Sequence, residues 1–242
     1  MLFTFASLSS LAIGSFLNVC IHRIPRGQSI IASRSHCPSC MTNLKWRHLI
    51  PVFSYFALKG KCQYCGSKIG IQYPFVELLT ALGLITILYQ STSYTLFLWY
   101  GSLYALMIIV SAIDIKHMII PNSVIITGFI VALTLSAAFK IIDIKEMITG
   151  FMAGGSSLYL IAAIGSKLLH KQGLGGGDIK FTAMIGIFVG LRGVIMTLIV
   201  AFWSGACFGL ISIACGMMKK DDRIPFAPFL SLGALIYILT MC

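Results

Sequence analysis

Long apolar stretches dominate this chain, separated by short polar links and a single polar loop. A helix that crosses a bilayer needs about 20 mostly apolar residues. Runs of that kind fall at 2–21, 74–90, 95–113, 122–139, 148–166, 179–191, 194–216 and 225–242. The sixth is short, and Arg192 separates it only narrowly from the seventh. These runs are continuous, whereas the strands of a membrane barrel alternate residue by residue. The pattern therefore predicts an all-α polytopic membrane protein with about eight transmembrane helices. Three parts follow: a first helix over 1–21, a polar loop over 22–73, and a bundle of about seven helices over 74–242. No basic residue precedes Arg23, so 1–21 lacks the positive start of a secretory signal. It reads as a retained helix with its N-terminus outside.

Composition agrees. Hydrophobic residues make up 58% of the 242 and charged residues 10%, with a mean hydropathy of +0.93. A soluble domain carries about 25% charged residues, and a disordered chain needs low hydrophobicity. Both classes are excluded. The net charge of +11 suggests a nucleic-acid partner until the charges are placed. Arg23, Arg26, Arg34, Lys45, Arg47, Lys59, Lys61 and Lys68 crowd the loop 22–73, which has no acidic residue. With that loop inside, Lys116, Lys167, Lys171, Lys180, Lys219, Lys220 and Arg223 also fall inside, leaving Lys140, Lys145 and Arg192 outside. Fifteen of the 18 basic residues then mark the cytoplasmic face, as the positive-inside rule requires. Topology and contact with anionic lipid explain the charge, and no nucleic acid is expected.

The same loop holds Cys37-Pro38-Ser39-Cys40 and, after 21 residues, Cys62-Gln63-Tyr64-Cys65. Two C-x2-C pairs at this separation suit a tetrahedral four-thiolate zinc site, closed to substrate and so structural. Disulfides or redox pairs are the rivals, and a reducing cytoplasm disfavours disulfides. Cys20, Cys207, Cys215 and Cys242 lie in apolar runs and read as small hydrophobes.

Seven acidic residues can be taken one by one. Asp221, Asp222, Asp143 and Glu146 sit beside lysines or arginine in polar links. Glu77, Asp114 and Asp178 lie in or at the ends of apolar runs, where a charge costs roughly 2.5–3.5 kcal/mol at mid-helix and less near the interface. Asp114 closes the third run and is followed by Ile120-Pro121-Asn122, with His117 between as an interfacial side chain. Asp178 opens the sixth in Gly173-Leu174-Gly175-Gly176-Gly177-Asp178-Ile179-Lys180. Alternating topology puts both at the cytoplasmic edge of the bilayer. For either alone, an anchor paired with Lys116 or Lys180 is the plainer reading. The glycines tell against it, since three in a row cost backbone entropy and admit another backbone. No phosphate-loop motif is present. Two aspartates sharing a site can hydrolyse a peptide, the ionised one activating water and the protonated one polarising the carbonyl. Glu77 has two readings, a methyltransferase residue or a partner for a basic side chain within the bundle.

The residues together resemble the type IV prepilin peptidases. The matching elements are Gly14-Ser15-Phe16-Leu17-Asn18-Val19 with Arg23-Ile24-Pro25, Ser35-His36-Cys37-Pro38-Ser39-Cys40, Ile50-Pro51, Gly60-Lys61-Cys62-Gln63-Tyr64-Cys65 and Tyr73-Pro74-Phe75-Val76-Glu77-Leu78-Leu79-Thr80. They continue with Asp114, Ile120-Pro121-Asn122, the glycine run with Asp178 and Lys180, and Ile224-Pro225-Phe226-Ala227-Pro228-Phe229, where Ala227 replaces an expected glycine. The resemblance implies a bifunctional enzyme of the bacterial cytoplasmic membrane, serving pili, type II secretion or competence. Such enzymes cut the basic leader of prepilins or pseudopilins after a glycine, then N-methylate the new N-terminus, usually phenylalanine, using S-adenosylmethionine. Asp114 and Asp178 would be the protease pair, with Gly175, Gly176, Gly177 and Lys180 supporting them. Rivals are another G-x-G-D intramembrane protease, a proton-coupled transporter, and a zinc-bearing assembly factor.

Overall fold

A computed structural model describes residues 2–31, 35–169, 175–219 and 222–241. Arg34, Lys171, Gly173, Leu174, Lys220, Asp221 and Cys242 lie outside the described residues. Eight α-helices follow in order: α1 (Leu2–Arg23), α2 (Phe53–Ala57), α3 (Gln72–Gln90), α4 (Tyr94–His117), α5 (Asn122–Phe139), α6 (Ile144–Leu169), α7 (Gly176–Ala214) and α8 (Ala227–Met241). Two isolated bridges, His36–Asn43 and Lys61–Lys68, are the only strand-like pairing among the described residues. Among the described residues, five helices, α3 to α7, are long and apolar enough to cross a membrane. The chain is a multi-pass, all-helical membrane protein.

Two compact units divide it, Met1–Tyr89 and Gln90–Cys242. In the first, α1 packs directly on α3. A Cβ on Gly14 would stand 2.8 Å from the Glu77 Cα, so only glycine permits this approach. Four residues on, Asn18 Nδ2 donates to the Tyr73 carbonyl at 2.9 Å. The sequence groups α3 with the later helices, because hydropathy marks a span without saying what it packs against. Side-chain packing places it with α1 and the polar loop.

In the second unit, α4 and the start of α7 form the interior. Trp99, Leu103, Met107, Val110 and Ile113 of α4 are fully buried, as are Phe181, Met184, Ile185 and Phe188 of α7. Small residues set the approach of the surrounding helices, as is usual where lipid supplies no hydrophobic drive. Gly150 of α6 meets Gly186 of α7 backbone to backbone, and a Cβ on Gly154 would stand 2.5 Å from the Thr182 carbonyl. Large apolar side chains of α5 and α6, such as Ile126, Ile130, Ile148 and Met152, are exposed, as a lipid-facing surface requires.

The sixth and seventh predicted segments are the two helical legs of α7, which meet at a non-helical Gly190. As a straight rod, the 39 residues of α7 would reach about 58 Å, roughly twice the hydrocarbon thickness. Gly190 breaks the rod, with φ 66° and ψ −174°, a region essentially confined to glycine. Val194 Cγ2 lies 3.1 Å from where a Cβ on Gly186 would stand, whereas eight residues of straight helix span about 12 Å. The two legs thus turn back on each other at Gly190, two residues before the predicted divider Arg192. Helix breaks strand carbonyls, and the indole of buried Trp99 donates to the Phe188 carbonyl at 2.9 Å.

Alanine at 190 would have to adopt this conformation at a cost of about 1–3 kcal/mol. Gly190→Ala is expected to lower the thermal unfolding midpoint of the purified protein. Gly165→Ala, where a Cβ meets nothing within 4 Å, should leave it in place. Equal midpoints for the two variants would contradict the role of Gly190.

Candidate active site and metal centre

Asp114 sits in the last turn of α4 and is 6% exposed. Its carbonyl accepts from the N–H of Met118, whose φ of 54° ends the helix. Its carboxylate Oδ2 accepts from the backbone N–H of Ala227 at 3.1 Å. That N–H is free because α8 starts late. The sequence predicts a segment from 225, but Ile224-Pro225-Phe226 is non-helical and the helix begins at Ala227. Pro225 biases the residue before it away from helix. As a result, the N-terminal end of α8, where backbone donors are unpaired, points at the Asp114 carboxylate. One turn back, the Ser111 and Ser231 hydroxyls meet at 2.8 Å and tie α4 to α8.

Asp178 occupies the first turn of α7. Its Oδ2 accepts from the Gly175 N–H at 3.2 Å, and its own N–H donates to the Gly175 carbonyl at 3.1 Å. The glycine run has a reason other than unusual dihedrals, since none of Gly175, Gly176 and Gly177 has positive φ. A Cβ on Gly177 would stand 3.0 Å from Ile120 Cβ, while a Cβ on Gly176 would enter open space. Gly177 therefore lets the start of α7 rest on the segment that follows Asp114. Lys180 closes the same contact, donating from Nζ to Asn122 Oδ1 at 3.1 Å. The anchor reading for Asp178 would have turned that lysine to the aspartate. The two carboxylates are near enough for their charges to repel. His117 is exposed at the end of α4.

Glu77 lies in the other unit and is 7% exposed. Its Oε2 accepts from the Val52 N–H at 2.7 Å, a backbone amide where one of the two readings from sequence had a basic side chain. Val52 has φ 61° and ψ −52°, a conformation hard for a β-branched residue that costs on the order of 1–3 kcal/mol. A hydrogen bond to a buried carboxylate holds it there. Glu77, Ser15, Asn18 and Tyr73 line a cavity of about 260 Å³ contained in this unit.

The four cysteine sulfurs lie within 4.8 Å of one another. Cys37 and Cys65 are 3.9 Å apart, and a tetrahedron of 2.3 Å zinc–sulfur bonds has edges of about 3.8 Å. Each pair sits in its own turn: Met41 N–H donates to Cys37 O at 2.8 Å, and Gly66 N–H to Cys62 O at 2.9 Å. Met41 and Gly66 hold the same left-handed backbone, at φ 56° and 71°. The Cys40 N–H, with help from Ser39 and Ser67, brings the Cys37 thiol down to about 6, so it is largely thiolate at neutral pH, the form that binds metal. Ser67, which the cysteine spacing does not reveal, lies 3.1 Å from Cys65 Sγ and lowers that thiol too. The set can hold a metal ion.

Residues 8–91 match the family model described as the bacterial peptidase A24 N-terminal domain, and residues 101–210 match the type IV leader peptidase family. The chain belongs to the type IV leader peptidase family. It is 34% identical over 238 residues to the prepilin leader peptidase/N-methyltransferase of Bacillus subtilis, covering 95% of this chain and 90% of the relative. It is 32% identical over 257 residues to the type 4 prepilin-like proteins leader peptide-processing enzyme of Escherichia coli, covering 96% and 92%. Against the prepilin leader peptidase/N-methyltransferase of Myxococcus xanthus it is 33% identical over 215 residues, covering 86% of this chain and 62% of the relative. No solved structure matches. Membership of this peptidase family displaces the transporter and assembly-factor alternatives.

Elemental analysis of the purified protein should find about one zinc per chain. Cys37→Ser or Cys62→Ser should lose it and lower the unfolding midpoint, because binding energy at such sites is folding energy. A metal-free wild-type protein would remove the zinc site.

Proposed function

We propose that this chain cleaves the basic leader of type IV prepilins or pseudopilins at the cytoplasmic face of the bacterial inner membrane, then methylates the new N-terminus. The observation that carries the proteolytic half is the seating of Gly177 on Ile120 and of Lys180 on Asn122. Those contacts bring Asp178 to the end of α4 where Asp114 lies. Both carboxylates sit at helix ends, at the depth where a prepilin leaves its hydrophobic helix and presents its leader to water. With the basic loop inside, that depth is cytoplasmic.

Two close carboxylates do not ionise together easily, so one proton is shared between them near neutral pH. The ionised member takes a proton from water as the oxygen attacks the scissile carbonyl carbon. The protonated partner donates to the carbonyl oxygen, and on collapse a proton passes to the departing amine. Ala227 N–H and Gly175 N–H each fix one carboxylate oxygen, leaving the others for water and substrate. The open space at Gly176 gives an extended peptide room beside Asp178.

The methylating half belongs to the Met1–Tyr89 unit, where Glu77 and the cavity lie. S-adenosylmethionine, when bound, supplies an electrophilic methyl on a sulfonium sulfur, which the free N-terminal amine takes up with loss of one proton. The buried Glu77 carboxylate suits a cationic donor. The four-cysteine site, read as zinc, is structural and shapes the cavity wall, to which Cys37 and Cys62 contribute.

Membranes carrying the protein, given a prepilin and labelled S-adenosylmethionine, test both halves. Asp114→Asn and Asp178→Asn are each expected to reduce cleavage at least about 100-fold, the low end for general acid–base groups. Methylation of pilin already cleaved should survive in both. Normal cleavage by either variant would end the two-aspartate mechanism.

A further inference from the structure

Between its two cysteine pairs the polar loop carries a stretch without a charged residue, 49–58. It is too short to span a bilayer, and α2 is the α-helix within it. Large apolar side chains stand out from the protein along it: Leu49 and Ile50 are exposed, Phe53 is 67% exposed and Phe56 68%. A contiguous apolar patch of this kind marks a contact surface.

The neighbouring helices fix the level at which this stretch lies. The 19 residues of α3 measure about 28 Å, close to the roughly 30 Å of hydrocarbon that a span must cross. Gln72 and Gln90 therefore belong near the two interfaces. Glu77 lies five residues inward of Gln72, about 7.5 Å along the helix, and its carboxylate holds the Val52 N–H at 2.7 Å. The Ser15 hydroxyl of α1 reaches the same carboxylate. Ser15 lies eight residues inward of Arg23, the end of α1, or about 12 Å. Both helices thus put the start of α2 below the helix ends that carry the loop. Interfacial helices rest about 5–10 Å into the headgroup and acyl boundary.

The backbone there is matched as an immersed segment requires. Pro51 has no N–H to satisfy, and Glu77 takes the Val52 amide. The amides of Phe53, Ser54, Phe56 and Leu58 donate to carbonyls within 50–54. Charge flanks the stretch on both sides, with Arg47 before it and Lys59 and Lys61 after it, all exposed. No acidic residue occurs in 22–73. Long basic side chains at the edges of an apolar insertion reach back to headgroup phosphates.

We propose that 49–58 is a re-entrant wedge seated in the lipid leaflet next to the loop. Phe53 and Phe56 stand among the acyl chains, with Arg47, Lys59 and Lys61 at the phosphates. The loop's positive charge accounts only for attraction to the membrane surface. The bond from Val52 to Glu77 sinks the middle of the loop into the lipid and makes α2 part of the membrane domain. Rival occupants of this face are the Gln90–Cys242 unit, a second copy and the apolar helix of a substrate.

Photocross-linking tests this in the full chain, reconstituted in vesicles of phosphatidylethanolamine and phosphatidylglycerol. Photoreactive benzoylphenylalanine replaces Phe53 or Phe56, with Leu78 on α3 as the lipid-facing reference and Gln63 in the second cysteine turn as the water-facing one. Positions 53 and 56 are expected to yield phospholipid adducts at about the level of position 78 and at least about tenfold above position 63. A lipid yield nearer to that of position 63, or adducts to protein in place of lipid, would overturn the wedge. Hydroxyl-radical footprinting of the unsubstituted chain in the same vesicles needs no replacement. Corrected for intrinsic reactivity, Phe53 and Phe56 should be oxidised less than Tyr64, which is only 44% exposed. Oxidation of the two phenylalanines equal to or above that of Tyr64 would place them in water and end the proposal.

Discussion

A backbone N–H or C=O left unpaired in hydrocarbon costs several kcal/mol, so irregular backbone inside a membrane must be matched locally. In the Gln90–Cys242 unit the departures from helix are few, and the described partners sit beside them. The break at Gly190 meets the Trp99 indole at the Phe188 carbonyl. The late start of α8 turns the Ala227 amide onto Asp114. The start of α7 is closed by Asp178 reaching back to Gly175. Two of these three repairs are made by the aspartates themselves, so the groups proposed for chemistry also complete the backbone.

That double use bears on how the pair is held. A charged side chain near lipid is otherwise free to snorkel toward water. Here each carboxylate is tied by one oxygen to a main-chain amide, and the helices behind them are fixed by Ser111–Ser231 and Lys180–Asn122. The pair is therefore oriented before any peptide arrives, the condition under which electrostatic catalysis needs little reorganisation.

What was legible in the sequence was whatever is local or rare. Cys37, Cys40, Cys62 and Cys65 announce themselves by spacing, and their sulfurs do cluster. Asp114 and Asp178 stand out because few charges interrupt the apolar runs. The boundaries of α3 to α6 follow from run length. Features that depend on distant partners were hidden. Gly190 looks like any helical glycine until the reversal is seen, and Arg192, the only charge nearby, drew the divider toward itself. Ser67 and Val52 gain meaning only from folded neighbours. For Glu77 the sequence supplied a buried carboxylate and two alternatives, and its partner is a main-chain amide 25 residues away.

The two cysteine turns have a further consequence. Each is closed by its own backbone bonds, so 41–61 joins two small modules whose main link at the sulfurs is whatever ion they share. Tethering the ends of a chain this long removes loop-closure entropy from the unfolded state, of the order of 3 kcal/mol for a bridge of similar span. In a secreted protein a disulfide would do this. With the loop in a reducing compartment, as proposed above, a shared ion would do it instead, and the integrity of the loop would then answer to metal supply.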